Sequence, residues 1–195
     1  MVADGKPQDN NSGADAAAGG IRSGPAAEPM VMAMDWITAE NDRPCSPFYR
    51  KLDVAKIGTA GQSCGGMMTM LSAGDKRVTT AVVSNSGVSG NNSMLFASYH
   101  APMLFMAGGS SDFLSSSATA NVNAISNVPI FYGNLDVGHG ATWEQTNGGE
   151  FGRVMLGWLK WKLRGDSSVE QMFVGADCEL CKAPSKWKIQ KKMID

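Results

Sequence analysis

Residues 61–65, with the sequence Gly-Gln-Ser-Cys-Gly, lie between a predicted strand at 56–60 and a helix-forming run at 67–73. Where a strand reverses directly into a helix, the turn residue is held in a strained backbone conformation and tolerates only small neighbours. Small neighbours are present here as Gly61, Gly65 and Gly66. The motif therefore predicts that Ser63 lies at a tight turn, with its hydroxyl at the carboxyl end of the strand.

The remaining hydrophobic pattern predicts an α/β fold. Short runs rich in apolar, mostly β-branched and aromatic residues indicate further strands at 78–83, 102–107 and 128–132. Apolar residues at helical spacing predict helices at 28–40, with Pro29 in the first turn, and at 150–163. Short strands separated by helical or loop crossovers favour a mostly parallel sheet flanked by helices.

Composition divides the 195-residue chain into three parts. Residues 1–27 are rich in Gly, Ala, Asp, Asn and Ser without a hydrophobic period, which predicts a flexible segment with no readable signal peptide. Residues 28–175 hold the predicted core. Residues 176–195 contain a Cys-x-x-Cys motif and five lysines, and we expect a solvated, fraying chain end there.

Charge and hydropathy exclude two classes of partner. The formal net charge of -1 gives no general attraction to nucleic acid. No apolar run approaches the roughly 18 residues that a membrane-spanning helix needs. We therefore expect a soluble protein without nucleic-acid binding.

Cys178 and Cys181 form the Cys-x-x-Cys motif, which follows the last predicted helix. A thioredoxin-like motif would open a helix after a strand, and a zinc site would need a second close ligand pair, which Cys45 and Cys64 do not form. We predict a small structural disulfide loop and no metal. A thiol-disulfide protein is the alternative.

Only two histidines could activate Ser63, and the predicted sheet separates them. Reactive groups in parallel sheets gather at the carboxyl ends of the strands. His100 precedes the strand at 102–107, and six strand residues span roughly 20 Å. His139 follows the strand at 128–132, which favours it as the base; a purely structural histidine is the alternative.

Two aspartates compete as the acid. Asp112 follows the strand at 102–107, and the order Ser63, Asp112, His139 is one that serine hydrolases of α/β type use. Asp136 is only three residues from His139, but such closeness usually ties a loop to itself. The sequence favours Asp112 and leaves Asp136 as the competitor.

Cys64 has two expected roles at the start of the helix. Its backbone N–H is predicted to donate to developing negative charge, as part of an oxyanion hole. Its side chain is expected to pack along the helix or to pair with Cys45. A role for Cys64 as thiol nucleophile is the alternative.

The segments Gly-Gln-Ser-Cys-Gly-Gly, Gly-Gly-Ser-Ser-Asp, Asn-Leu-Asp-Val-Gly-His-Gly and Gly-Gly-Glu-Phe together resemble the α/β-hydrolase superfamily over residues 28–175. Within it, the chain is similar to dienelactone-hydrolase and polyester-hydrolase serine esterases. The resemblance implies cleavage of small or polymeric carboxylic esters through an acyl-enzyme, with Ser63, His139 and Asp112 as nucleophile, base and acid. It also implies that no cofactor takes part and that the protein is extracellular.

The chain departs from this family before Ser63, where relatives carry several more strands and a loop with a second oxyanion donor. We therefore expect a truncated or alternatively started chain, whose Ser63 strand leaves an open edge that favours self-association. A catalytically weak or inactive homologue acting as a binding protein is the alternative function.

Overall fold

The computed structural model describes residues 24–195, with side chains from Ala27 onward. Most of the predicted flexible segment at 1–27, and the segment in which a signal peptide was sought, lie outside the described residues. Residues 24–27 belong to the first helix.

The fold is built on one five-stranded sheet whose spatial order follows the chain. The first four strands are parallel to one another, and the fifth pairs antiparallel with the fourth. The predicted mostly parallel sheet is confirmed. The strands are β1 (Ile57–Gln62), β2 (Val78–Ser84), β3 (Met103–Ala107), β4 (Ile130–Asn134) and β5 (Lys188–Lys192).

Five α-helices accompany the sheet in residues 24–195: α1 (Gly24–Asp42), α2 (Cys64–Ser72), α3 (Ser93–Ala97), α4 (Ser115–Ala124) and α5 (Gly149–Arg164). The prediction for α5 is confirmed, and the helix ends at Arg164, before Gly165, which has a positive φ of 66°. The predicted position of Pro29 is wrong. Because α1 begins at Gly24, Pro25 occupies the first turn and Pro29 lies one turn further on.

Helices cover both faces of the sheet. Successive strand residues point to opposite faces, so neighbouring residues of β3 belong to different cores. Phe105 joins a core with residues of α1, α2 and α4. Leu104 joins a second core, built on α5 and the segment after it. In that second core the buried indole of Trp158 donates to Thr80 Oγ1 at 2.8 Å, so its polar group is satisfied.

The lysine-rich end is ordered between residues 188 and 192, so the prediction of a fraying tail is wrong there. These residues form β5 on β4. The Lys192 ammonium donates to the carbonyls of Val122, Asn123 and Ile125, at the end of α4. A cation is favourable at a helix C-terminus, where carbonyl groups lack partners within the helix.

Cys178 and Cys181 are joined by a disulfide, which confirms the predicted loop. The bridge closes a short loop in the segment after α5, and Cys178 is buried in the second core.

Among the described residues, β1 is an edge strand that pairs only with β2. The open edge is therefore in the expected place, and self-association through it stays a prediction. None of the helices in residues 24–195 combines the length and apolar character that crossing a membrane requires.

Candidate active site

Ser63 occupies the turn between β1 and α2, with φ 54° and ψ -120°. This positive φ is uncommon for a residue other than glycine and indicates a strained turn. The turn is held from both sides, because Ser63 N donates to Ser84 O at 3.0 Å and Ser63 O accepts from Met67 N at 3.1 Å. The backbone therefore fixes the position of Ser63 Cβ, which carries the hydroxyl.

Two of the three glycines around the turn are needed for space. A Cβ at Gly61 would lie 2.2 Å from the backbone of Gly65, and one at Gly66 would lie 2.4 Å from Ser86 Cβ. A Cβ at Gly65 would meet nothing within 4 Å. The expectation that Gly65 supplies room for the turn through its missing side chain is therefore wrong.

The two glycines of the motif should respond differently to alanine. We expect Gly61→Ala to lower the free energy of unfolding by about 3 kcal/mol or more, because the clash is with backbone that cannot rotate away. Gly65→Ala should stay within about 1 kcal/mol of the wild type. Urea unfolding measures both, and equal losses in the two variants would contradict the close approach at Gly61.

Three predicted residues meet at the carboxyl edge of the sheet. His139 Nε2 lies 2.9 Å from Ser63 Oγ, and His139 Nδ1 lies 2.7 Å from Asp112 Oδ1. Ser63 follows β1, Asp112 follows β3 and His139 follows β4. Because a carboxylate can only accept, its partner Nδ1 carries the proton in this arrangement, which leaves Nε2 to accept from the serine hydroxyl.

Asp112 is buried and fully hydrogen-bonded. Its Oδ2 accepts from Gly108 N and from Asn85 Nδ2, both at 3.0 Å. Burial by itself raises the pKa of Asp112, but the hydrogen bonds from His139, Gly108, Asn85 and Leu114 outweigh burial and hold the pKa below its ordinary value. The carboxylate is therefore ionised at neutral pH.

The competing residues lie elsewhere. Asp136 Oδ1 accepts from Ser110 N at 3.2 Å, so this aspartate ties two loops together. His100 Nε2 lies 3.2 Å from the carbonyl of Val78, the first residue of β2. It is therefore at the opposite edge of the sheet from Ser63.

Comparison with known families agrees with this fold. Residues 21–191, most of the chain, match the PETase family, described as PET hydrolase-like. The chain belongs to the PET hydrolase-like family. This membership confirms the resemblance to polyester hydrolases of the α/β-hydrolase superfamily and makes the chain a hydrolase that acts on esters. It gives no support to the alternative of a non-catalytic binding protein. No curated protein matches the chain.

In this PET hydrolase-like chain, Cys64 is exposed and makes no disulfide, and neither does Cys45. The expected packing or pairing of the Cys64 side chain is therefore wrong. Helix α2 packs through Gly66, Thr69 and Met70, which lie three to four residues apart on one face. Cys64 precedes Gly66 by two residues, so it falls on the opposite side of the helix.

Two exposed apolar side chains near His139 were missed from the sequence. The Phe113 ring lies 4.1 Å from the His139 ring, centroid to centroid, and 71% of the residue is exposed. Val137, in the loop before His139, is also exposed. Both apolar side chains are therefore accessible to solvent close to His139 in the fold or in the chain of this PET hydrolase-like protein.

Two polar side chains that brace the site were also missed. Gln62 Nε2 donates to His139 O at 2.9 Å, and Asn85 donates to Asp112. The only sequence signal for Asn85 is the polar run 84–86 at the end of a strand, where functional groups of parallel sheets collect.

The described residues hold no group of three or more His, Cys, Asp or Glu side chains that could bind a metal. A cavity of about 600 Å³ lies at the amino end of β1, lined by Ile37, Leu52, Ile57 and Leu163 among others. Because Ser63 follows the carboxyl end of β1, this cavity is not the space next to the serine.

Proposed function

We propose that the chain hydrolyses carboxylic esters through a covalent acyl-enzyme on Ser63. The observation that carries the proposal is the continuous chain of contacts from Ser63 Oγ to His139 at 2.9 Å and from His139 to Asp112 at 2.7 Å. A hydroxyl next to a base, with the base oriented by a third group, is the arrangement that acyl transfer uses.

In the first half-reaction, Ser63 Oγ attacks the ester carbonyl carbon while His139 Nε2 takes the hydroxyl proton. Asp112 stabilises the imidazolium through its bond to Nδ1. The tetrahedral adduct then collapses, the bond to the alcohol oxygen breaks, and His139 returns its proton to the departing alcohol. Water repeats the sequence on the acyl-enzyme and releases the acid and free Ser63.

Negative charge on the former carbonyl oxygen needs donors, and the first is the N–H of Cys64. Cys64 is the first residue of α2, and N–H groups in a first helical turn have no partner within the helix. The positive end of the helix dipole adds to the effect. This proposal concerns the backbone of Cys64 and not its thiol.

The substrate class follows from the surface beside His139. Exposed Phe113 and Val137 offer apolar contact to an acyl or alcohol group that extends beyond the reacting ester. We infer that the substrate is an ester that belongs to a larger molecule or polymer. The Cys178–Cys181 disulfide suits an oxidising compartment, which supports an extracellular location.

A partition experiment tests the acyl-enzyme. Two butyrate esters with different leaving alcohols are hydrolysed in buffer that contains methanol. A shared butyryl-enzyme divides between water and methanol in one ratio, so both esters should give the same proportion of methyl butyrate to butyric acid. Ratios that differ between the two esters would show direct attack by water and contradict the proposal.

A further inference from the structure

Asn85 lies directly after β2 and is completely buried, at 0% exposure. Its side-chain Nδ2 donates to Asp112 Oδ2 at 3.0 Å, on the carboxylate oxygen that does not face His139. The same nitrogen lies 3.4 Å from the carbonyl of Gly138, the residue before His139. One amide therefore contacts both the acid and the loop that carries the base.

The orientation of this amide is fixed by its other end. Ser84 Oγ donates to Asn85 Oδ1 at 2.8 Å, which leaves the NH2 group facing Asp112. The backbone of Asn85 has a positive φ of 47°, a conformation that asparagine adopts more readily than most residues, and its N–H donates to Met106 O at 2.7 Å. A Cβ at Gly108 would lie 2.9 Å from Asn85 Nδ2, so the surrounding backbone packs closely around the amide.

We propose that Asn85 is a positioning residue that aims Asp112 at His139 and, as a neutral donor, keeps that carboxylate as the one negative charge of the triad. The inference rests on the proposed triad function and adds a residue to it. Gly108 N also donates to Asp112 Oδ2, so this carboxylate oxygen accepts two hydrogen bonds on the side away from His139.

Among the described residues, the contacts of Asn85 lead to two titratable side chains. Asp112 faces Asn85 from the end of β3, and His139 lies beyond it after β4. Asp136, on the same loop as His139, accepts from Ser110 N and lies next to Gly109. A carboxylate at position 85 would therefore stand beside another carboxylate, and once both are ionised the pair holds a second negative charge.

Asn85→Asp keeps the shape of the side chain and changes its charge. An added negative charge beside Asp112 favours the imidazolium form of His139, which is inactive as a base. We expect the acid limb of the kcat/KM profile for p-nitrophenyl butyrate to move up by about one pH unit or more. A purely structural role for Asn85 is tested separately, by whether removal of the amide lowers kcat in protein that still folds.

Two further variants complete the test. Asn85→Leu removes the donor without adding charge, and we expect it to lower kcat/KM by roughly 10- to 100-fold, mainly through kcat. Asn121→Asp is the matched control, because Asn121 is also buried but its amide bridges Val88 N and O instead of the triad. Its acid limb should coincide with that of the wild type.

The profiles are measured only where circular dichroism shows folded protein, with Ser63→Ala assayed in parallel. If Asn85→Asp does not fold, kcat/KM of Asn85→Leu decides the question. An unshifted limb in Asn85→Asp, or kcat/KM of Asn85→Leu within twofold of wild type, would overturn the role of Asn85. Retained activity in Ser63→Ala would instead overturn the proposed function.

Discussion

Replacing Ser63 by alanine should lower kcat for ester hydrolysis by roughly 10⁴- to 10⁶-fold, because the acyl-enzyme can no longer form. Ser63 Oγ is the hydroxyl in contact with His139. The variant should fold normally, since the backbone bonds that hold the turn do not involve this side chain. Hydrolysis of p-nitrophenyl butyrate, together with urea unfolding of the same samples, measures both effects.

The alternative nucleophile predicts the opposite ranking. Cys64 is exposed and next in sequence, so a thiol mechanism would leave Ser63→Ala active and inactivate Cys64→Ala. That result would contradict the serine mechanism while leaving the family assignment intact. Alanine at position 64 keeps the backbone N–H, so this comparison tests the thiol and not the oxyanion donor.

Replacing Asp112 by asparagine should lower kcat by roughly 10⁴-fold with little change in size or packing. A neutral amide cannot stabilise the imidazolium. The amide NH2 of asparagine can also donate to His139 Nδ1, which would place the ring proton on Nε2. A protonated Nε2 cannot accept the proton of Ser63. Steady-state kinetics at a pH where the wild-type rate no longer changes measures the effect.

Asp136→Asn is the matched control for Asp112→Asn. Asp136 accepts a single hydrogen bond given by Ser110 N and is the aspartate nearest to His139 in sequence. Its loss should lower kcat by less than about tenfold, since it changes a loop contact and not the base. A large loss in Asp136→Asn with an active Asp112→Asn would reverse the assignment of the acid.

The sequence predicted best where a pattern was long or where topology constrained it. The apolar spacing of α5 spans four turns, and its end at Arg164 follows from the left-handed residue Gly165. Groups that follow the carboxyl ends of parallel strands lie at one edge of the sheet, so the topology alone predicted that Ser63, Asp112 and His139 would meet. It also separated His100 from them.

The elements that the sequence missed depend on long-range contacts. β5 carries three lysines in five residues, which is typical of a solvated end, and it becomes a strand only by pairing with β4. α4 is made largely of small polar residues and packs through Ala118 and Val122. β4 was predicted at 128–132 but is Ile130–Asn134, because it continues past its apolar residues to pair with β3.

The side-chain contacts within the site could not be predicted from the sequence, for a different physical reason. Asn85 acts on Asp112 across 27 positions in the chain, and Phe113 meets His139 across a similar separation. No periodicity encodes which buried amide faces which carboxylate. Such pairs follow from the order and register of neighbouring strands, which only the folded sheet provides.

Labelling with a fluorophosphonate probe, read by mass spectrometry of the intact chain and its peptides, tests most directly whether Ser63 is an activated nucleophile. The wild type should take up one adduct, located on Ser63. The adduct should be absent in Ser63→Ala and much reduced in His139→Ala, because the serine then lacks its base. A folded wild-type chain that takes up no adduct, or takes it up on another residue, would contradict the serine mechanism.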